Sequence, residues 1–271
     1  MSERIAFIGG GNMASAIIGG LLGQGMSPAQ IDVVEPFTET REKLKGNFSI
    51  NAHAAVGTFL VDADLVIWAV KPQTFKEAAL PVRPHAQKAL HLSVAAGIRS
   101  GSIVQWLGTE RVVRAMPNTP ALIGKGISAL YARPAVSVHD RERVCQVMAG
   151  TGELVWLDVE EKLDVVTALS GSGPAYAFYF MEAMTTAGAE MGLSREQAQQ
   201  LAVATFIGAG ELVRASGESP KVLRQRVTSR GGTTDAAISC MEDEDMQAQF
   251  INALYAARRR AQELGDQFGS A

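Results

Sequence analysis

Apolar positions along the first 160 residues alternate between two periods. Ile5-Ala6-Phe7-Ile8 is a short continuous run, as a strand buried on both faces requires. From Asn12 the apolar residues are Met13, Ile17, Ile18, Leu21 and Leu22, the three-and-four spacing of one helix face, and Gly23 and Gly25 stop it. Ile31–Val34 and 64–70 predict further strands, as do 90–95, Val112-Val113, 127–131 and 153–157. Ser137 is placed to cap a helix that continues to Met148. Strands alternating with helices predict an α/β fold with a doubly wound, mostly parallel sheet of the Rossmann type.

After residue 160 the β-branched runs disappear, and Ala, Leu, Met, Gln and Glu dominate. Helical stretches fit 174–191, 195–216 and 246–265, so residues 161–271 are expected to form an all-α domain. The stretch with Leu201, Val203, Ala204, Phe206, Ile207 and Ala209 is apolar nearly all round. Such a helix needs cover on more than one side, which predicts a subunit interface in this half. The expected domains are therefore 1–160 and 161–271.

Composition narrows the classes. The 271 residues are 47% hydrophobic and 20% charged, which supports a buried core and excludes wholesale disorder. A net charge of −3 argues against nucleic-acid partners and polybasic membrane contacts. The longest apolar run, 201–210, is too short for a bilayer span. Met1–Arg4 lead into a strand without an apolar leader, so a soluble cytoplasmic protein is expected. Cys145 and Cys240 fit no disulfide framework. His53, His85, His91 and His139 include no pair at metal spacing, so no metal is expected, and His91, inside a strand, reads as a core residue.

Glycine, 27 of 271, is the one excess, and its positions carry chemistry. Gly9-Gly10-Gly11-Asn12-Met13-Ala14 follows a strand and opens an amphipathic helix. It has the spacing of a dinucleotide-binding turn: Gly9 for the tight turn, Gly11 for close approach to a pyrophosphate, Ala14 for helix–strand packing. The amides of Asn12 and Met13 then stand at a helix N-terminus, a favourable place for phosphate. Glu35, 24 residues after Gly11, stands where an acid meets the ribose hydroxyls, giving a slight lean to NADH over NADPH, with Arg41 nearby as a counter-argument. Ala69-Val70-Lys71-Pro72 and Ala95-Ala96-Gly97 end two further strands, where ligands of open α/β sheets bind. Gly231 and Gly232, ahead of a helix expected from about Thr234 to Cys240, offer an anion site built of backbone amides.

Three segments carry a resemblance to a family. They are Met116-Pro-Asn-Thr-Pro120, Ser170-Gly-Ser-Gly-Pro-Ala-Tyr176 and Val227-Thr-Ser-Arg-Gly-Gly-Thr-Thr234. With the N-terminal glycines and Ala69-Val-Lys-Pro72, their order and spacing resemble pyrroline-5-carboxylate reductase over essentially the whole chain. The resemblance implies reduction of 1-pyrroline-5-carboxylate to L-proline with NAD(P)H by an interlocked helical dimer, often built into larger rings. It implies that Ser229, Gly231, Gly232 and Thr233 hold the substrate carboxylate, Val227 lines the ring and Thr234 bonds the imine nitrogen. Pro117, Asn118 and Thr119 would touch the nicotinamide end, and His53 or Asn51 the adenosine ribose. Ser170–Ala175 reads as a helix start with Gly173 near the cap. Arg230 departs from the proline common in the family. Other readings of the same plan are a related imine or β-hydroxyacid dehydrogenase and a non-catalytic NAD(P) sensor. The β-hydroxyacid enzymes use a helical-domain lysine, and the two lysines after residue 160, Lys162 and Lys221, lie in no apolar helix face.

Overall fold

A computed structural model describes residues 3–269. Eight strands form one sheet: β1 (Ile5–Ile8), β2 (Ile31–Val34), β3 (Asn51–His53), β4 (Leu65–Trp68), β5 (Leu90–Ser93), β6 (Val112–Met116), β7 (Gly126–Ala132) and β8 (Gly152–Trp156). Their spatial order is β3-β2-β1-β4-β5-β6-β7-β8. All neighbours are parallel except β6 and β7. The chain reverses direction across the sheet at β1, between β2 and β4, the switch point at which such sheets bind ligands.

The interleaved helices are α1 (Asn12–Gly23), α2 (Thr38–Phe48), α3 (Phe75–Val82), α4 (Ser100–Leu107) and α5 (Val138–Met148). The sheet is covered on both faces. Ile17, Ile18, Val144 and Val147 meet Phe7, Val33 and Ile67 on one side. Phe75, Val82, Ile103 and Trp106 meet Ala6, Val66 and Trp68 on the other. That double burial is why β1 and β4 read as continuous apolar runs. Ser137 caps α5 as expected, its hydroxyl accepting the Asp140 amide at 3.1 Å. Burial pushes the Asp140 carboxyl up, but hydrogen bonds from Arg111 and Ser137 outweigh it and hold the group below its usual value.

The pattern of apolar residues does not disclose β3 or α2, α3 and α4. α2 buries only Leu44, and β3 buries only Ala52, so neither shows a stripe.

Beyond β8 come α6 (Lys162–Val166), α7 (Gly173–Glu190), α8 (Arg195–Ser216), α9 (Pro220–Arg226), α10 (Thr233–Asp243) and α11 (Met246–Gly269). Thr167–Gly171 forms a π-helical turn between α6 and α7, with the Ser172 amide bonded to the Thr167 carbonyl at 2.9 Å. The Ser170 segment therefore completes a wide turn inside a helical run that begins at Lys162, although α7 itself does start at Gly173. The Met116 methyl, the flexible end of its side chain, lies 2.5 Å from where a Cβ on Gly171 would stand.

Two compact units result: residues 3–172 with 257–269, and Gly173–Ala256. The sheet unit runs past residue 160 and takes in the end of the chain. α6, the π turn and the last turns of α11 pack with the sheet, because Leu163, Ala168 and Ala261 are buried there. In the helical unit only Thr185, Gly188, Ala198 and Ala202 are buried, all on α7 and α8. Small residues let these two helices approach closely: a Cβ on Gly188 would lie 2.9 Å from that of Ala198. Elsewhere Phe178, Tyr179, Leu201, Ile207 and Leu212 remain more than half exposed.

Candidate active site

The glycine turn leaves β1 at the switch point. Gly9 has φ +95° and its Cα faces the Ala69 carbonyl, so a side chain is excluded on two counts. Gly10 is closed off by Leu44, 2.5 Å from where a Cβ would stand. Gly11 differs: nothing lies within 4 Å of its Cβ position. Gly11 is also the N-cap of α1 and gives it no side-chain cap. A glycine with ordinary φ, open space and an uncapped helix start behind it leaves room and free amides for a phosphate. Ala14, fully buried, draws α1 against the sheet. The residues present thus fit a dinucleotide.

Three segments expected at the cofactor line the carboxyl edge of neighbouring strands. Ile8 is in register with Trp68, and Trp68 with Ser93, so Gly9, Ala69 and Val94 follow side by side. Ala69 donates its amide to the Ile8 carbonyl at 2.8 Å, and Val70 lies against Gly9. Lys71 is exposed and opens a short 3-10 turn at Pro72. The Ser93 hydroxyl accepts the Ala95 amide at 3.3 Å, and Gly97 turns the chain with φ +72° after the half-buried Ala96. Ser93 was not legible as a site residue, because a serine inside a buried strand has no pattern of its own.

Glu35 stands at the end of β2, but it is only 7% exposed. Its carboxylate accepts the Gly10 amide at 2.9 Å and the Phe37 amide at 3.0 Å. It therefore braces the glycine turn as well as placing a negative charge beside it. Arg41 does fold back: its guanidinium donates to the carbonyls of Glu35 and Pro36 at 2.8 and 2.7 Å and to the Thr38 hydroxyl at 2.9 Å. His53 bonds Asp32 at 2.8 Å and stacks on Phe59, while Asn51 is exposed.

Pro117 is buried. Asn118 has both polar ends engaged: its Nδ2 donates to the Ser170 carbonyl at 3.1 Å and its Oδ1 accepts the Ile127 amide at 3.0 Å. Its side chain ties the loop after β6 to the π turn, so any contact with nicotinamide falls to its backbone and to Pro117. Thr119 begins a 3-10 turn and is exposed.

In the helical unit, Val227 to Gly232 connect α9 to α10. Val227 is 64% exposed. Gly231 adopts φ +75°, and Gly232 is the N-cap of α10 without a side-chain cap. The two glycine amides point inward: Gly231 donates to Asp235 at 2.8 Å, and Gly232 to the Ser229 carbonyl at 2.9 Å. This corrects the picture of two free glycine donors. Among the described residues, no internal bond engages the Thr233 and Thr234 amides or the Thr234 hydroxyl. With the Ser229 hydroxyl they are the donors this loop can turn to an anion. Asp235 was missed; the clue was an acid three residues after the N-cap, the position that folds back on the loop. Arg230 is exposed in this loop.

Among the described residues no cluster of acids, histidines and cysteines could hold a metal ion, and no helix is long and apolar enough to cross a membrane. The sheet unit and its glycine cradle define a dinucleotide-dependent oxidoreductase.

Comparison with known proteins gives the family. Residues 160–264 match the family model for pyrroline-5-carboxylate reductase dimerisation, and residues 4–97 match NADP oxidoreductase, coenzyme F420-dependent. A pyrroline-5-carboxylate reductase of Pseudomonas aeruginosa is 46% identical over 270 residues, 99% of each chain. The solved structure of one from Coxiella burnetii superposes with TM-score 0.90 at 36% identity, covering 97% of this chain and 99% of that one. That of Plasmodium falciparum, with NADP bound, superposes with TM-score 0.87 at 27% identity, covering 97% and 98%. The chain belongs to the pyrroline-5-carboxylate reductase family. Its reaction is the NAD(P)H-dependent reduction of pyrroline-5-carboxylate to proline.

Proposed function

We propose that residues 1–160 bind the cofactor and that residues 161–271 bind the substrate and a second subunit. The observation that carries the cofactor half is the cradle at Gly11, empty of protein atoms within 4 Å and backed by an uncapped helix. Gly9, Gly11, Asn12 and Met13 would hold the pyrophosphate, with Ala69–Pro72 and Ala95–Gly97 along the same edge. When bound, the reduced nicotinamide supplies the hydride that the imine carbon accepts.

The substrate is a five-membered cyclic imine with a carboxylate. The Ser229 hydroxyl and the Thr233 and Thr234 amides supply donors for the carboxylate, at a helix start that favours negative charge. Gly231 and Gly232 shape this loop, and Val227 offers an apolar side chain to the ring. The Thr234 hydroxyl bonds the ring nitrogen and holds it in the orientation for reduction. A protonated imine is already electrophilic, so positioning and charge are the larger share of the work. No Asp, Glu or His needs to act as a general acid in this scheme.

NADH is the favoured cofactor on this reading. The Gly10 and Phe37 amides fix the Glu35 carboxylate beside the cofactor turn, where its charge opposes a 2′-phosphate. The exposed apolar faces of α7 and α8 are covered by a second copy of the chain, and the dimers can assemble into a ring. Both cysteines are free thiols, which suits a reducing cytoplasm.

The test is oxidation of NADH and of NADPH, followed by absorbance, with pyrroline-5-carboxylate as substrate. Substrate-dependent oxidation with formation of proline is expected. A purified, folded protein that binds NAD(P)H without turnover would overturn the catalytic reading.

A further inference from the structure

The last turns of α11 seat on the Ala95–Gly97 turn. A Cβ on Gly97 would lie 3.4 Å from Leu264 Cβ and 3.6 Å from the Phe268 ring, so the turn and the helix are in contact. Phe268 packs against the core layer that contains Ile98, Ile103 and Trp106. Asp266 accepts Arg99 Nη2 at 2.8 Å. The Arg99 guanidinium lies over Gly265, where a Cβ would stand 3.3 Å from Nη2, and Gly265 is buried. From the strand side the same turn is held by the Ser93 hydroxyl on the Ala95 amide.

Gly97 and Gly265 thus lie on the two sides of one contact, and Arg99 bridges it. Gly97 has positive φ, a conformation with a shallow preference that its neighbours must fix. The exposed ion pair alone contributes little. The apolar seat of Leu264 and Phe268 contributes more, because it removes apolar area from water.

We propose that the C-terminal turns of α11 are a clamp that positions the Ala95–Gly97 turn for cofactor binding, with Leu264, Gly265 and Asp266 as positioning residues. None of the three belongs to the segments assigned to the cofactor or the substrate. The proposal rests on the reading that this turn borders the dinucleotide.

Gly265→Val in the full-length protein crowds the Arg99 guanidinium and disturbs the contact between helix and turn. Cofactor affinity is read by NADH fluorescence titration, with circular dichroism as a folding check. The expected result is a Kd for NADH raised about 3- to 30-fold, the range of positions that act without touching a ligand. At saturating NADH, kcat and the KM for pyrroline-5-carboxylate stay within about twofold. Asp266→Arg is the milder second variant, and the double change Arg99→Asp with Asp266→Arg restores the Kd. An unchanged Kd in a folded Gly265→Val, or in a folded Leu264→Ala if the first does not fold, overturns the clamp. Ala96→Val separates the two possible failures. If it weakens NADH while the helix variants do not, the turn borders the cofactor and the clamp is wrong. If it too is silent, the placement of the turn is wrong.

Discussion

The carboxylate of Glu35 accepts the amide of Gly10 at 2.9 Å, so the end of the second strand is tied to the turn that leaves the first. The tie makes one residue both a brace and a fixed charge. Glu35→Gln removes the charge and keeps an acceptor for one of the two amides. The ratio of kcat/KM for NADPH over NADH is expected to rise about tenfold or more, since a like charge opposite the 2′-phosphate is lost. Steady-state kinetics with both cofactors check this; an unchanged ratio would remove Glu35 from cofactor choice.

The glycines next to it separate stability from binding. Gly9→Ala forces a side chain into positive φ and against the Ala69 carbonyl, and a loss of roughly 2–4 kcal/mol is expected in urea unfolding. The Cβ of Gly11→Val has no contact within 4 Å beyond its own turn, so the fold should stand while the Kd for NADH rises at least about tenfold. Undiminished affinity in that variant would sink the phosphate assignment.

Thr234→Ala deletes the hydroxyl at the start of α10. A fall in kcat/KM of about 10- to 1000-fold is expected, the scale of one or two strong site interactions. Thr234→Ser should recover most of it. Wild-type kinetics in the alanine variant would refute the role.

His91 gives a pH dependence unrelated to catalysis. It is buried, and its Nδ1 accepts from Trp68 Nε1 at 3.1 Å, which leaves Nε2 to donate to the Ala86 carbonyl at 3.1 Å. Burial pushes its pKa down from 6.5 to about 4. Below pH 6.5 the unfolded chain takes up a proton that the folded one refuses, so stability falls as pH drops and the loss levels off near pH 4. The expected loss over that window is about 3 kcal/mol. The difference in urea midpoint between wild type and His91→Phe, followed with pH, measures it. A flat difference would mean the ring charges in place.

Ile207 is 56% exposed on α8 within the isolated chain. Burying it against a second copy makes a charge there costly. Ile207→Glu should shift the protein to monomer in sedimentation equilibrium at micromolar concentration, without loss of helix signal. A wild-type chain that is itself monomeric would end the dimer reading.

Much of this was legible in the chain. Strands buried on both faces, such as Leu65–Trp68, announce themselves as apolar runs, and the glycine turn has fixed spacing. α2 was hidden because its only buried residue is Leu44, which sits over Gly10. The motif at 170–175 was readable as a helix start but not as the end of a π turn, since one Ser172–Thr167 backbone bond leaves no mark in the apolar spacing. The loop from Val227 to Gly232 showed its glycines plainly. Where their amides point was set by Asp235 and Ser229, and a spacing pattern carries no direction.

The three glycines of the first turn answer to three different masters. Backbone geometry demands Gly9, the Leu44 methyl crowds Gly10, and no neighbouring atom demands Gly11. Folding alone therefore gives a reason for the first two, while the proposed cofactor gives the reason for the third. In a lineage released from proline synthesis, the third position is free to drift while the other two persist. Such a sequence would preserve in a single residue the record of a discarded cofactor.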